Sequence, residues 1–419
     1  MARTLAQWLA WQETLHPAEM DLGLERVRAV LGRLGLEHPP FPVVTIAGTN
    51  GKGSTVAYLE AVLTAAGHRP GAYTSPHLRR YNERIRVAGA EAADDELVRA
   101  FERVEAARGD VPLTYFEFGT LAALVHFAEA GVDLALLEVG LGGRLDAVNA
   151  VDPALCVVTP IDLDHQAWLG PDREAIGAEK AGILRPGVPV VVSDRDPPAS
   201  LLARARALGA PVDRLGVDFH IDADGRWRGP TGVWELPPLG LPGAHQRDNA
   251  AGAVMALEHL RERFPWDGAA LARGLAGARL PGRQERLPGA PEWWLDVGHN
   301  PHAARALAAA LAADPRPTVA VVAMLADKDP GAFLAPLLPH LQALHLAGLD
   351  DLARGASAAR LRERCPPAPC PVHAHPGVDG ALVAALAQTP AHGRLLVTGS
   401  FHTVERALRW REVRLERAG

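Results

Sequence analysis

Forty of the 43 basic residues are arginine, and the three lysines are Lys52, Lys180 and Lys328. A chain that uses arginine almost everywhere keeps lysine where a compact ammonium or a reactive amine is needed, because the two side chains are not interchangeable. Lys52 stands in Gly48-Thr49-Asn50-Gly51-Lys52-Gly53-Ser54-Thr55, behind the apolar run Val43–Ala47 and ahead of a helical pattern over Ser54–Ala66. A buried strand, a glycine turn and a helix start form the setting of a phosphate loop. Backbone N–H groups turn onto phosphate oxygens, the helix N-terminus adds partial positive charge, and the lysine reaches the outer phosphates. A hydroxyl at Ser54 or Thr55 then faces Mg²⁺. The spacing departs from the general G-x-x-x-x-G-K-[ST] form, since Gly48 lies three residues before Gly51 and Gly53 follows the lysine. A plain glycine-rich strand-to-helix turn is the bland alternative.

Other reactive residue types fall at the ends of strand-like runs. Glu138 ends Asp133–Val139, where a carboxylate at the edge of a sheet can hold Mg²⁺ directly or through water. His165 follows Ala154–Pro160, beside Asp162 and Asp164. A lone histidine there reads as a packing residue, and imidazole is a poor first choice for Mg²⁺. Lys180 lies on a helical pattern over Arg173–Leu184, where a surface pair with Glu174 or Glu179 is the simple explanation. In the C-terminal half Asp296 and His299 follow the strand Trp293–Val297, and Ser400 and His402 follow Leu395–Gly399. Asn300-Pro301 also suits a helix cap before Ala303–Ala313.

The elements that must position these groups alternate along the chain. Short apolar runs without polar alternation, including Val188–Ser193, read as buried strands of a parallel sheet, with amphipathic helices between them such as Phe118–Ala130. Residues 209–243 read as hairpins or an irregular excursion, followed by helices over Asn249–Phe264 and Gly268–Ala276. A second α/β series has strands near Trp293–Val297, Thr318–Met324, Leu344–Gly348 and Leu395–Gly399. Length alone favours two domains, since single cores stop growing at about 250–300 residues. The expected division is a P-loop domain over 1–280, a linker over 281–290 opened by Pro281-Gly282, and a smaller α/β domain over 291–419.

Composition excludes several classes. A net charge of −6 gives no electrostatic reason to bind nucleic acid or an anionic membrane. No apolar run reaches the about 18 residues of a membrane span, and residues 1–13 lack the pattern of a signal peptide. Three cysteines, Cys156, Cys365 and Cys370, make no disulfide framework, so a reducing cytoplasm is the expected compartment.

The loop Ala47–Ser54 resembles the nucleotide loop of the Mur-ligase superfamily, and the extra Gly53 resembles its folylpolyglutamate synthase/dihydrofolate synthase branch. Further blocks are similar to that branch: Thr74-Ser75-Pro76-His77-Leu78 with Glu83-Arg84-Ile85, Leu137–Asp146, and Asp164-His165 through Glu179-Lys180-Ala181-Gly182. So are Leu280-Pro281-Gly282-Arg283, Asp296–His302, Met324–Asp329 and Gly399–Val404. The resemblance runs from about Asp21 to His402. It implies a Mur-ligase-like α/β fold, with an N-terminal P-loop ATPase domain on a mostly parallel sheet and a smaller Rossmann-like C-terminal domain. It also implies ATP- and Mg²⁺-dependent joining of L-glutamate to dihydropteroate or to the γ-carboxylate of folate through an acyl phosphate.

The same resemblance implies site residues. Thr49, Asn50, Gly51, Lys52, Gly53, Ser54, Asn249, Arg283 and Asp296 would contact ATP. Ser54, Ser75, Glu138 and His165 would serve two Mg²⁺ ions, and Lys180 would be carbamylated. Lys180, His165, Asp296 and His299 would be catalytic, with His299 and Ser400 on the glutamate side. Met20–Val27, above all Asp21, Leu22 and Gly23, would meet the pterin, as would Tyr115, Phe116, Glu117, Leu145, Asp146 and Ala147. The expected partners are small molecules only, and a monomer is the expected state. Alternatives are a monofunctional folylpolyglutamate synthase, a Mur-type ligase with another carboxylate acceptor, an ATPase or kinase, and a zinc module on Cys365, Cys370, His373 and His375. Only about 40 residues precede the phosphate loop, which disfavours the Mur-type reading, and the Cys-x₄-Cys-x₂-His-x-His spacing fits no common zinc template.

Overall fold

The computed structural model describes residues 3–16 and 21–416; Met20 of the N-terminal segment lies outside them. The chain divides into two compact units. One comprises residues 1–162, 166–240 and 246–279, and the other 163–165, 241–245 and 280–419.

The N-terminal unit is built on an eight-stranded sheet of β1 (Val43–Ala47), β2 (Pro70–Tyr73), β3 (Ile85–Val87), β4 (Ala90–Glu91), β5 (Leu134–Glu138), β6 (Leu155–Val158), β7 (Val190–Val192) and β8 (Val212–Arg214), in the order β4-β3-β2-β5-β1-β6-β7-β8. From β2 to β8 the pairing is parallel, and the short strands β3 and β4 turn antiparallel at one edge. β1, β5, β6 and β7 are buried throughout. Their uninterrupted apolar runs follow from being covered on both faces. The register sets Ile46 of β1 beside Glu138 of β5 and Ala47 beside Val158 of β6. The loop after the central strand therefore leaves the same sheet edge as the two flanking ones. Residues 209–243, expected as hairpins or an irregular stretch, split in two. β8 extends the main sheet, while β9 (His220–Ile221), β10 (Arg226–Gly229) and β11 (Gly232–Glu235) form a separate antiparallel sheet around the buried Trp227. The helix expected over Arg173–Leu184 stops at Lys180 and tightens into a 3₁₀ turn over Ala181–Ile183.

The C-terminal unit has a six-stranded sheet of β12 (Glu285–Leu287), β13 (Glu292–Asp296), β14 (Thr318–Val322), β15 (Ala343–Ala347), β16 (Val372–His375) and β17 (Arg394–Thr398), ordered β12-β13-β17-β14-β15-β16. All pairs are parallel except β12 with β13. The stretch 281–290, read as a linker, is in part an edge strand, because Glu285–Leu287 hydrogen-bonds to Trp293–Leu295. Three residues are too few for a period-two pattern to stand out. β16 was also not anticipated. It carries His373 and His375, whose rings stack on the buried His345 of β15 at centroid distances of 4.9 and 5.1 Å. His345 Nδ1 and His375 Nε2 also meet at 2.9 Å, so these two rings hydrogen-bond to each other. Among the described residues no group of three or more His, Cys, Asp or Glu could hold a metal. Cys365 and Cys370 pack against the apolar core of this unit.

Candidate active site

Gly48 and Gly51 adopt φ of +149° and +97°, the second in the left-handed region that a Cβ disfavours. Space forbids side chains as well. A Cβ at Gly48 would lie 1.8 Å from Thr159 Oγ1, and one at Gly51 would lie 2.5 Å from Asn249 Oδ1. The loop is pinned to the exit of β6, where Thr49 N–H donates to Pro160 O (2.9 Å) and Thr49 Oγ1 donates to Asp162 O (3.0 Å). The helix Lys52–Ala65 then starts with Gly51 as its cap. Lys52 Nζ donates to the carbonyls of Gly48 (3.0 Å) and Thr49 (3.2 Å). Lys180 Nζ reaches the same Gly48 carbonyl at 2.8 Å from a side chain only 4% exposed.

That arrangement disposes of the surface-pair explanation for Lys180. Glu179 pairs with Arg144 (3.0 Å), and Glu174 accepts the N–H groups of Ala199 and Ser200. Gly143 makes the close approach possible, since a Cβ there would meet the carbonyls of Glu179 and Lys180 at 3.0 Å.

Glu138 and Ser75 come together: the Ser75 N–H donates to the buried Glu138 Oε2 at 3.2 Å. Ser54, also buried, accepts from Gln246 Nε2 at 3.1 Å, and Gln246 Oε1 accepts from Asn249 Nδ2 at 3.0 Å. Asn249 thus belongs to the N-terminal unit, on the first turn of the helix Gln246–Leu260, one turn earlier than the sequence pattern suggested. Gln246 was missed; a polar residue three positions before Asn249 gives no signal until the helix is seen to start there. The donors Ser54, Ser75 and Glu138 are all oxygen, as a hard cation requires. A magnesium site keeps waters and phosphate oxygens and takes few protein carboxylates, so this set fits Mg²⁺. His165 groups by its contacts with the C-terminal unit, at φ +51°.

The residues expected at the pterin cluster within the N-terminal unit, but two of them have structural duties. Glu117 is buried, closes the capping box of the helix Tyr115–Ala130 with Thr114, and accepts Arg26 at 2.9 Å. Arg26 in turn holds Asp21 at 2.8 Å. Burial pushes the Asp146 carboxyl up to about 6, against N–H donors from Leu141 and Val148 that favour the anion. Phe116 lies against Gly140, where a Cβ would come within 2.7 Å of the ring. Tyr115 packs edge-on to Tyr81, and the Arg84 guanidinium lies over both rings at 5.6 and 5.4 Å. Leu22 and Gly23 precede the helix Glu25–Leu34, while Leu145 and Ala147 flank Asp146.

In the C-terminal unit, the buried Asp296 accepts the N–H groups of Gly298 (2.7 Å) and Gln284 (3.0 Å). Burial raises its carboxyl, opposed by Arg283 and those two donors. His299 Nδ1 lies 2.9 Å from Val297 O, which accepts only, so Nδ1 carries the proton and Nε2 keeps its lone pair. Burial, with Lys328 nearby, lowers this imidazole to about 4. Asn300 caps the helix Pro301–Ala313 as expected, its Oδ1 accepting from Ala303 N–H at 3.0 Å. Ser400 Oγ accepts from Thr403 N–H and meets Thr403 Oγ1 at 2.6 Å, so its hydroxyl caps a helix. Arg283 lies over the Phe401 ring at 5.6 Å. Lys328, quoted in the sequence but given no role, is 8% exposed and donates to Asp164 at 2.6 Å.

Residues 282–401 match the model of the Mur ligase, glutamate ligase domain. The Escherichia coli dihydrofolate synthase/folylpolyglutamate synthase is 44% identical over 96% of this chain and 94% of its own, and the Haemophilus influenzae protein of that name is 39% identical over 96% of each. The structure of E. coli FolC in complex with DHPP and ADP superposes with a TM-score of 0.92 at 43% identity, covering 99% of both chains. The bifunctional enzyme from Yersinia pestis complexed with AMPPNP and Mn ion gives 0.90 at 43%, over 97% of this chain and 98% of that one. The chain is a ligase of the Mur-ligase fold and belongs to the dihydrofolate synthase/folylpolyglutamate synthase family.

Proposed function

We propose that this protein uses ATP to add L-glutamate to dihydropteroate and then to the γ-carboxylate of folate, releasing ADP and phosphate. The observation that carries the proposal is the convergence of Lys52 and Lys180 on the Gly48 carbonyl, in the unit that also holds the buried Glu138–Ser75 pair. A carboxylate is a poor electrophile because its oxygen leaves badly. Transfer of the γ-phosphoryl group converts it into a mixed anhydride with a good leaving group, and this step demands positioning and charge neutralisation.

The N–H groups of Gly51 to Ser54 hold the phosphates, with Thr49, Asn50 and Asn249 completing the turn. Lys52, which folds back on the loop carbonyls, swings onto the outer phosphates. Mg²⁺, when bound by Ser54, Ser75, Glu138 and His165, supplies charge neutralisation at the transferred group. Lys180 acts as a carbamate, its amine held in the interior against the Gly48 carbonyl. The resulting anion steadies the acyl phosphate region. Asp296 and Arg283 contact the nucleotide, and His299 and Ser400 serve the glutamate side. Asp21, Leu22, Gly23, Tyr115, Phe116, Leu145, Asp146 and Ala147 form the pterin side. The enzyme works as a monomer in the cytoplasm.

The test is incorporation of radiolabelled glutamate with dihydropteroate and with tetrahydrofolate as separate acceptors. Labelling of both supports two activities on one chain, and labelling of tetrahydrofolate alone leaves a monofunctional folylpolyglutamate synthase. ATP turnover with no labelling of either acceptor sinks the proposal.

A further inference from the structure

One carboxylate of the C-terminal unit gathers more polar partners than its solvent exposure explains. Asp164 lies in 163–165, the three residues that group with this unit, and its side chain is 10% exposed. Oδ1 accepts Lys328 Nζ at 2.6 Å and the His165 N–H at 2.9 Å. Oδ2 accepts Asn300 Nδ2 at 3.1 Å and stands 3.7 Å from His299 Nε2.

Apart from the adjacent His165, the partners come from two distant segments, 299–300 and Lys328. Lys328 sits in the turn after β14, its side chain 7% exposed and its second acidic neighbour, Asp327, farther off at 3.7 Å. A buried ammonium is costly unless an anion faces it, and removing one partner of such a pair leaves the other charge uncompensated. Asn300 uses Oδ1 to cap the helix Pro301–Ala313 and Nδ2 to bind Asp164, so the carboxylate fixes which way the amide points. His299 is anchored from its other side by Val297 O, which leaves Nε2 and Asp164 Oδ2 as two acceptors facing the same space.

We infer that Asp164 is a positioning residue for the amino-acid acceptor: it holds the Lys328 ammonium and the Asn300 amide in place beside His299. The inference rests on the reading above that His299 lies on the glutamate side. Asp164 needs no contact with substrate for this role. It sets the arrangement that the acceptor meets.

The experiment is steady-state kinetics on Asp164→Asn, Asp164→Glu, Lys328→Met, the double variant Asp164→Asn/Lys328→Met, and His299→Ala, with thermal melting of each. Asparagine has the same shape and can still meet Asn300, but it presents no charge to Lys328. Asp164→Asn is expected to raise KM for glutamate about tenfold or more and lower kcat, with KM for ATP within about twofold of the parent, and to lower the melting temperature because the Lys328 ammonium loses its counter-charge. Asp164→Glu is expected to recover part of the loss. The double variant is expected to be no worse than Asp164→Asn, because both changes remove the same ion pair. Parental kinetics in Asp164→Asn, with His299→Ala raising KM for glutamate, would overturn the inference and leave the reading of His299 standing. A lowered melting temperature with all KM values raised together would also overturn it, as a purely structural role. If His299→Ala leaves KM for glutamate unchanged, it is the reading of the acceptor side that fails.

Discussion

The two units build their reactive sheet edges from different materials. In the N-terminal unit the work is done by backbone: glycines at positive φ turn the chain so that carbonyls collect two lysines and the helix start offers its N–H groups. In the C-terminal unit it is done by side chains, with Asp296, Asn300 and Lys328 held by partners from other segments and His299 by the nearby Val297 carbonyl. Turn geometry is local, so a short stretch of sequence specifies it. A side-chain network needs strands that are far apart in the chain to be neighbours.

That contrast is most directly broken in the loop. Gly51→Ala forces a Cβ to 2.5 Å from Asn249 Oδ1 at φ +97°, and Lys52→Met removes the ammonium while leaving the turn. Both are expected to lower kcat by about 10³-fold. A Lys52→Met enzyme within tenfold of the parent would show that the loop lysine is dispensable. Lys180→Arg should cost about 10²-fold or more in activity with a near-parental melting curve, since arginine keeps the charge but cannot become a carbamate; normal turnover would remove the modified lysine from the proposal.

In the other unit losses of stability are expected as well. Asp296→Asn turns one acceptor into a donor facing a backbone N–H, and should cost about 1–3 kcal/mol in chemical denaturation. Ser400→Ala removes a helix cap and should cost about 1 kcal/mol.

Acidity separates the units by sign. His299 and His345 are both lowered to about 4, chiefly by burial, so each is uncharged in the folded protein at neutral pH. Between about 4 and 6.5 the unfolded chain takes up the protons that the folded one refuses, so their contribution to stability falls as pH drops through that window. Asp146, raised to about 6 by burial, does the reverse. Between about 4 and 6 the folded chain holds the proton, and its contribution falls as pH rises. Urea midpoints from pH 4 to 7 on His345→Phe and Asp146→Asn should therefore bend in opposite directions from the parent, and parallel curves would show that burial does not control these groups.

Much of the N-terminal site was legible. The strand Val43–Ala47 came out with the expected bounds, and Glu138 fell at the end of its strand as expected. Both were readable because fully buried parallel strands are unbroken apolar runs. β12 and β16 were not, being short edge strands of three and four residues whose pattern is too brief to register. Gln246 was invisible as a site residue, and the partner of Asp164 could not be read, for another reason: nothing in their neighbours says that Ser54, 192 positions away, or Lys328, 164 positions away, will arrive beside them.

The sequence alone determined the glycine turn with its lysine, the buried central strands of the two units, and the rarity of lysine that singled out three side chains with hydrogen bonds inside the fold. These are properties of adjacent residues, where steric limits on φ and the period of apolar positions act over one or two turns. Only the tertiary structure decided which carboxylate each lysine or amide would meet, that Glu117 would serve a helix cap and Arg26, and that Lys180 would be buried on Gly48. Such pairings depend on sheet order and register, which bring together segments whose separation along the chain carries no information about their distance in space.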